Sequence, residues 1–257
     1  MKTGLTTHSL SNKDFREQLY SMLQQGIKPD FIILHYSGRY RFSKAFGFIK
    51  KNLRQYKLKS ISYILSRSKG NTSVSTYKLS AEAEKETDTF LSLAKVIPAN
   101  GINSASTIAL IKSMGYAIIA CNSGKLNAAV LNLNNAIFLN VHASKLPAYR
   151  GMNNVEWALW ENQNMYGTIH RISKGIDEGD ILLQDKIETP NLQTIAEYRA
   201  YSFFKSNALM GKAVKGYLDK KLSFTKQEVS GKPIDQYYVM HPILKEYLNK
   251  KISKQVI

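Results

Sequence analysis

The chain has 257 residues, 44% hydrophobic and 21% charged, which excludes extensive disorder and suffices for one large domain with or without a small appendage. Its 36 Lys and Arg against 19 Asp and Glu leave a formal charge of +17, favouring an anionic partner such as nucleic acid, an acidic membrane surface or a phosphorylated small molecule, unless it is simply a solvated lysine-rich surface. No apolar run approaches the ~18–20 residues of a membrane helix, the polar N-terminus lacks a signal-peptide core, and the single cysteine, Cys121, suits a reducing cytoplasm.

Along the chain, residues 1–30 read as a polar lead, and Phe31–Leu34 is a short buried-strand run. The basic segment RFSKAFGFIKKNLRQY (41–56) has apolar residues at helical intervals. Ile61–Leu65 is a strand pattern, 69–80 a loop and 81–94 a helix. Strands at Lys95–Pro98, Tyr116–Ala120 and Ile137–Val141 flank an amphipathic stretch over Ser104–Met114. Strands alternating with helices at this spacing predict an α/β fold with a mostly parallel, Rossmann-like sheet. Beyond it the pattern predicts a helix over Asn153–Glu161 and strands over Thr168–Ile172 and Ile181–Ile187. A long helix over 193–217, an arm over 222–229 and a short basic helix at the tail complete the chain. There is no internal repeat, so the simplest division is a lead (1–30), a core (31–190) and a C-terminal helix with extension (191–257).

The stretch IFLNVHASKLPAYRG (137–151) ends a strand pattern with Asn140 and His142 on one face, because side chains alternate along a strand. Open α/β sheets bind ligands at the carboxyl ends of their strands. The turn Cys121-Asn122-Ser123-Gly124 and His35 fall at the same edge. Three readings fit: a binding edge, a metal site or a catalytic pair. A metal site from His142, His170, Asp177 and Asp180 is conceivable by ligand type. No His-x3-His, paired-Cys or His-Glu-x-x-His spacing supports it, so no metal is expected. Trp157 and Trp160, three apart on one helix, read as packing residues.

The runs NVHASKLPAYRG (140–151) and YGTIHRISKGIDEGDILLQ (166–184) resemble the N10-formyltetrahydrofolate-dependent formyltransferases. These include glycinamide ribonucleotide formyltransferase, methionyl-tRNA formyltransferase and the nucleotide-sugar N-formyltransferases. The shared pattern is Asn-x-His, Ser-Leu-Leu-Pro, Arg-Gly, a Gly-Thr-Ile-His strand here, and an Asp-x-Gly-Asp loop, in order, over residues 95–190. The resemblance implies a catalytic trio of Asn140, His142 and Asp177 and N10-formyltetrahydrofolate as cosubstrate. It implies folate contacts from Cys121, Asn122 and Gly124 on one loop and from His170, Gly175 and Ile176 near the other. Acceptor contacts fall to Lys145, Arg150 and Gly151, with Arg39 and Arg41 as added anion contacts. Chemically the trio is apt. Formyl transfer to an amine develops an oxyanion that an Asn140 or His142 N–H can meet, one such donor being worth ~3–4 kcal/mol. His142 can handle the amine's proton near neutrality, and Asp177 can orient and charge-stabilise it.

The acceptor is read by elimination. Too few residues follow Glu188 for the C-terminal barrel of methionyl-tRNA formyltransferases, and residues 1–30 are too few for the sensing domain of the deformylases. The length best matches the nucleotide-sugar N-formyltransferases, whose anionic substrate suits the charge. In that reading KLSFTKQEVSGKPIDQYYVMHPILKEYL (221–248) serves a homodimer contact, and neither nucleic acid nor membrane is a partner. Transfer to tRNA or a purine precursor, hydrolysis, and a non-enzymatic nucleic-acid-binding role are the alternatives. Lys145 departs from the pattern, standing where the family has an apolar residue.

Overall fold

The computed structural model describes residues 1–35, 77–122, 124–228 and 236–254. The expected helical segment 41–56, the strand Ile61–Leu65, the loop over 69–76 and the anion contacts Arg39 and Arg41 lie outside the described residues.

Residues 1–30 are not a lead. Lys2–Thr7 is strand β1, and Lys13–Leu23 is helix α1. Five of the six β1 residues are buried, yet Leu5 is its one aliphatic side chain and three of the others are threonines, so no apolar run marks it. Threonine is β-branched and fits a strand, and its hydroxyls are satisfied locally: Thr7 Oγ1 donates to the Ser9 carbonyl at 2.7 Å, and Thr6 Oγ1 lies 3.6 Å from Cys121 Sγ. Asn12 caps α1 by accepting from the Phe15 N–H at 2.9 Å.

The remaining elements are β2 (Phe31–His35), α2 (Ala81–Leu93), β3 (Val96–Ala99), α3 (Ala105–Ser113), β4 (Ala117–Cys121), α4 (Ala128–Leu131) and β5 (Ala136–His142). After them come β6 (Arg150–Gly151), α5 (Asn154–Trp160), β7 (Met165–Arg171), β8 (Ile181–Ile187), α6 (Ile195–Asn207), α7 (Leu209–Leu218), β9 (Gln236–Tyr237) and α8 (Pro242–Lys254). One seven-stranded sheet runs β3-β2-β1-β4-β5-β7-β8. Its first five strands are parallel, and β7 and β8 join antiparallel. The α/β, mostly parallel architecture expected from the sequence is present, with the strand order turning at β1/β4, where open sheets form a crevice.

Each sheet face is covered. Leu5, Ile118, Leu139 and Ile169 pack under Phe15, Leu19 and Met22 of α1 and Met210, Ala213 and Val214 of α7. Ile33, Ile119 and Phe138 pack on the other face with Ile111 of α3 and Val130 of α4. Burial of each large aliphatic side chain stabilises by about 1.5–3 kcal/mol. The helix expected over 193–217 is divided into α6 and α7 at Ala208. At that junction Asn207 turns its amide into α1, donating to Asp14 Oδ1 at 3.0 Å and Glu17 Oε2 at 2.7 Å while accepting from Gln18 at 2.9 Å. Among the described residues of the arm expected over 222–229, Thr225 bridges to Ile181. Among the described residues, no helix is long and apolar enough to cross a membrane.

Helices α1 and α7 meet through Gly211, whose N–H donates to Ser21 Oγ at 3.0 Å. A methyl group there would stand 1.9 Å from the Ser21 carbonyl oxygen. Gly211→Ala is therefore expected to cost about 1–3 kcal/mol of stability, as overpacking does. Urea unfolding should show a lower midpoint at an unchanged slope; an unchanged midpoint would mean the contact yields freely.

Candidate functional site

Strand β5 delivers Asn140 and His142 to one face, and antiparallel β7 sets His170 opposite Asn140 and Thr168 opposite His142. Strand alternation puts Asn140 and His170 on the same side of the sheet as Ile119, Cys121 and Phe138. The loop between β7 and β8 then returns Asp177 over this face. The catalytic trio expected from the sequence is thus brought together, with His170 as a fourth member.

Hydrogen-bond roles follow from the fixed partners. The Arg171 carbonyl lies 2.9 Å from His170 Nδ1 and can only accept, so Nδ1 carries the proton and Nε2 the lone pair. Nε2 then accepts from the Asn140 amide nitrogen at 3.1 Å, which fixes the amide's orientation and leaves its second N–H and its oxygen uncommitted to His170. Burial pushes the His170 pKa down to about 4, the charge of His142 adding to the effect and Asp177 opposing it. His170 is neutral at pH 7.

The same reasoning applies to His142. Its Nε2–H donates to the Tyr149 carbonyl at 2.6 Å, leaving Nδ1 to face Asp177 Oδ2 at 3.5 Å. Burial lowers the His142 pKa, while Asp177 and the Tyr149 carbonyl act against it. The amide nitrogen of Asn154 lies 3.0 Å from Nε2 and 3.4 Å from Nδ1, which places it against the ring between the two nitrogens.

Asp177 joins these parts. Its Oδ1 is 3.7 Å from His170 Nε2, and its Oδ2 accepts the Gly151 N–H at 2.9 Å. It holds a left-handed backbone, φ +54, which a non-glycine residue adopts at a cost and which recurs at functional sites. Gln227 braces this turn by donating to the carbonyls of Asp177 at 3.0 Å and Gly179 at 2.5 Å. Gly151 has φ +98, and a Cβ there would meet the Tyr237 carbonyl at 2.3 Å. Only glycine fits that position.

The other expected residues are placed unevenly. Cys121 is buried at the end of β4 within the apolar cluster of that face. The Asn122 side chain points to α1, exchanging hydrogen bonds with Gln18 at 2.8 and 3.1 Å. Gly124 is exposed with open space beside it, and Ile176 is 52% exposed. Gly175 is half-buried on the Asp177 loop. Arg150 is buried, its Nη1 2.7 Å from Glu178 Oε1. Lys145 is exposed, its ammonium 5.2 Å from the centre of the Tyr166 ring. Among the described residues, no group of three or more His, Cys, Asp or Glu side chains could hold a metal ion. Sequence reasoning missed Asn154, Gln227 and the Tyr149 carbonyl. Asn154, three residues past Gly151, carried only proximity as a signal, and the other two carried none.

Residues 72–213, more than half of the chain, match the model of the formyl transferase family. The chain belongs to that family. A methionyl-tRNA formyltransferase from Acidobacterium capsulatum is 47% identical over 60 residues, 23% of this chain and 19% of that protein. Even the longer match to its Clostridium perfringens counterpart covers only 41% of that relative. Among solved structures, the N-formyltransferase from Helicobacter canadensis, in complex with folinic acid and dTDP-3-aminofucose, superposes with TM-score 0.56 at 14% identity, covering 100% of this chain and 82% of that one. Glycinamide ribonucleotide transformylase 1 from Symbiobacterium toebii gives 0.52 at 16% identity, covering 88% and 92%. Formyltransferases with different acceptors thus share this fold.

The buried, neutral His170 has a pH signature. The folded imidazole takes a proton only near pH 4 and an ordinary one near 6.5, so the unfolded chain binds more protons between those values. Stability tied to His170 is complete above about pH 6.5 and falls as pH drops toward 4. In the difference between wild type and His170→Gln, the raised carboxyl of Glu17, near 7, cancels. That difference is expected to rise with pH across the window in denaturant unfolding. A flat difference would contradict a neutral His170.

Proposed function

We propose that this chain transfers the formyl group of N10-formyltetrahydrofolate to the amine of a nucleotide-linked amino sugar. The observation carrying the reading is the convergence of Asn140, His142 and Asp177 at the carboxyl edge of the sheet, within hydrogen-bonding or ion-pairing reach through His170 and Gly151. The cosubstrate supplies a formyl carbon on a good leaving nitrogen. The acceptor amine bonds to that carbon, the bond from carbon to N10 breaks, and the proton lost by the amine passes to N10. The products are a formamide and tetrahydrofolate.

The residues have distinct tasks. Asn140, its amide fixed by His170, presents its second N–H to the formyl oxygen as charge develops, a contribution of about 3–4 kcal/mol. His142 is neutral in the resting site, and because Nε2–H is committed to Tyr149, Nδ1 is the atom that takes and returns the proton. The imidazolium formed then faces Asp177, which stabilises it. In this reading Cys121, Asn122 and Gly124, and His170, Gly175 and Ile176, contact the folate. The buried Cys121 and Phe138 supply apolar surface beneath it. Arg150, Gly151 and Lys145 take the acceptor side.

Two facts support a nucleotide sugar as acceptor. The Helicobacter canadensis enzyme crystallised with dTDP-3-aminofucose is matched along this whole chain, and a pyrophosphate complements a charge of +17. A cytoplasmic homodimer belongs to the same reading. Methionyl-tRNA is the second reading, favoured by the 47% identical segment. Conversion of N10-formyltetrahydrofolate, followed by absorbance with a nucleotide-linked amino sugar, glycinamide ribonucleotide, charged initiator tRNA or no acceptor, separates them. Turnover is expected only with the amino sugar, and His142→Ala should abolish it while the chain stays folded. Turnover specific to tRNA would overturn the acceptor, and near-normal turnover by His142→Ala would overturn the trio.

A further inference from the structure

The C-terminal segment, expected as a dimer contact, reaches the site itself. Strand β9 pairs parallel with β6, Gln236 beside Arg150 and Tyr237 beside Gly151. The Tyr237 carbonyl accepts the Met152 N–H at 2.9 Å. Further along, the Tyr238 carbonyl accepts the Trp157 indole N–H at 2.8 Å, and the Met240 N–H donates to Asn153 Oδ1 at 2.9 Å. The Tyr237 ring stacks on Tyr149, centres 5.2 Å apart and planes 19° from parallel, with the Trp157 ring 5.4 Å away. One carboxylate ties the stack. Glu161, just past α5, accepts the Tyr149 hydroxyl at 2.6 Å on one oxygen and the Tyr237 hydroxyl at 2.7 Å on the other.

The clamped segment carries two backbone groups that hold the site: the Tyr149 carbonyl on His142 and the Gly151 N–H on Asp177. We propose that Tyr237, acting with Glu161, is a positioning residue that fixes residues 149–151 so that both backbone groups hold His142 and Asp177 in register. Tyr237 touches no reacting group in this account; it acts through the loop. Both hydroxyls stay protonated donors at any physiological pH, since burial and the Glu161 charge push Tyr237 up to about 12 and Tyr149 higher still. The aromatic stack supplies a stiff, two-sided contact, whereas a loop held by β6 alone would rest on two residues.

The catalytic consequence rests on the formyl-transfer reading, but the positioning is measurable without substrate. In full-length protein, amide hydrogen exchange at Gly151 and the ring titration of His142 by NMR report the two backbone contacts, with His142→Ala assigning the ring signal. Tyr237→Ala is expected to speed Gly151 exchange about tenfold or more, since a local opening free energy falls. The His142 midpoint should move upward toward an ordinary imidazole as water enters, desolvation being the largest influence on it. In turnover, kcat should fall about tenfold while KM for the folate stays within about twofold. Tyr237→Phe, which keeps the stack and loses the hydroxyl, should fall between. A folded Tyr237→Ala with wild-type Gly151 exchange and wild-type His142 titration overturns the proposal. If that variant does not fold, wild-type behaviour of both Glu161→Gln and Tyr237→Phe overturns it equally. A wild-type chain inactive with every acceptor would refute the formyl-transfer reading and leave the exchange result standing.

Discussion

The site depends on one carboxylate in a strained turn. Asp177, at φ +54, lies within 3.5 Å of His142 and 3.7 Å of His170 and accepts the Gly151 N–H. The Gly151 N–H meets the carboxylate charge, and that charge opposes the burial that disfavours an imidazolium at either histidine. The backbone strain is sustained because Gln227, Gly151 and the β7–β8 hairpin over-determine the turn.

Around that carboxylate the two histidines, both buried, are set apart by their hydrogen-bond partners. His170, nearly sealed, serves as a fixed acceptor that orients Asn140. His142, held by a backbone carbonyl on one nitrogen, turns the other toward Asp177. The two histidines stand edge to face with centres 6.2 Å apart, so protonating one disfavours protonating the other. Their division of labour follows from which nitrogen each has already committed.

Legibility in the sequence followed the physics of each signal. Asn140 and His142 could be set on one edge by strand alternation, and Asp177 was added by the family resemblance of the loop that carries it. Strand β1 could not be found, because Thr3, Thr6 and Thr7 bury as neatly as valine while reading as polar. Asn122 was legible as a loop residue, but its amide is spent on Gln18, a partner 104 positions away. The Tyr149 carbonyl and the Gly151 N–H are backbone groups, which carry no residue-type signal. Tyr237 meets Tyr149 only through a long return of the chain. Local pattern therefore reached side chains near one another in sequence or on one strand face, and tertiary contacts supplied the groups that hold them.

The most direct test of this account is single-turnover formyl transfer by Asp177→Asn, an isostere that can still accept from Gly151 but carries no charge. The account expects a loss of about 10²–10⁴ in rate with folinic acid affinity and fold unchanged. A rate near wild type would contradict the claim that the Asp177 carboxylate organises the chemistry.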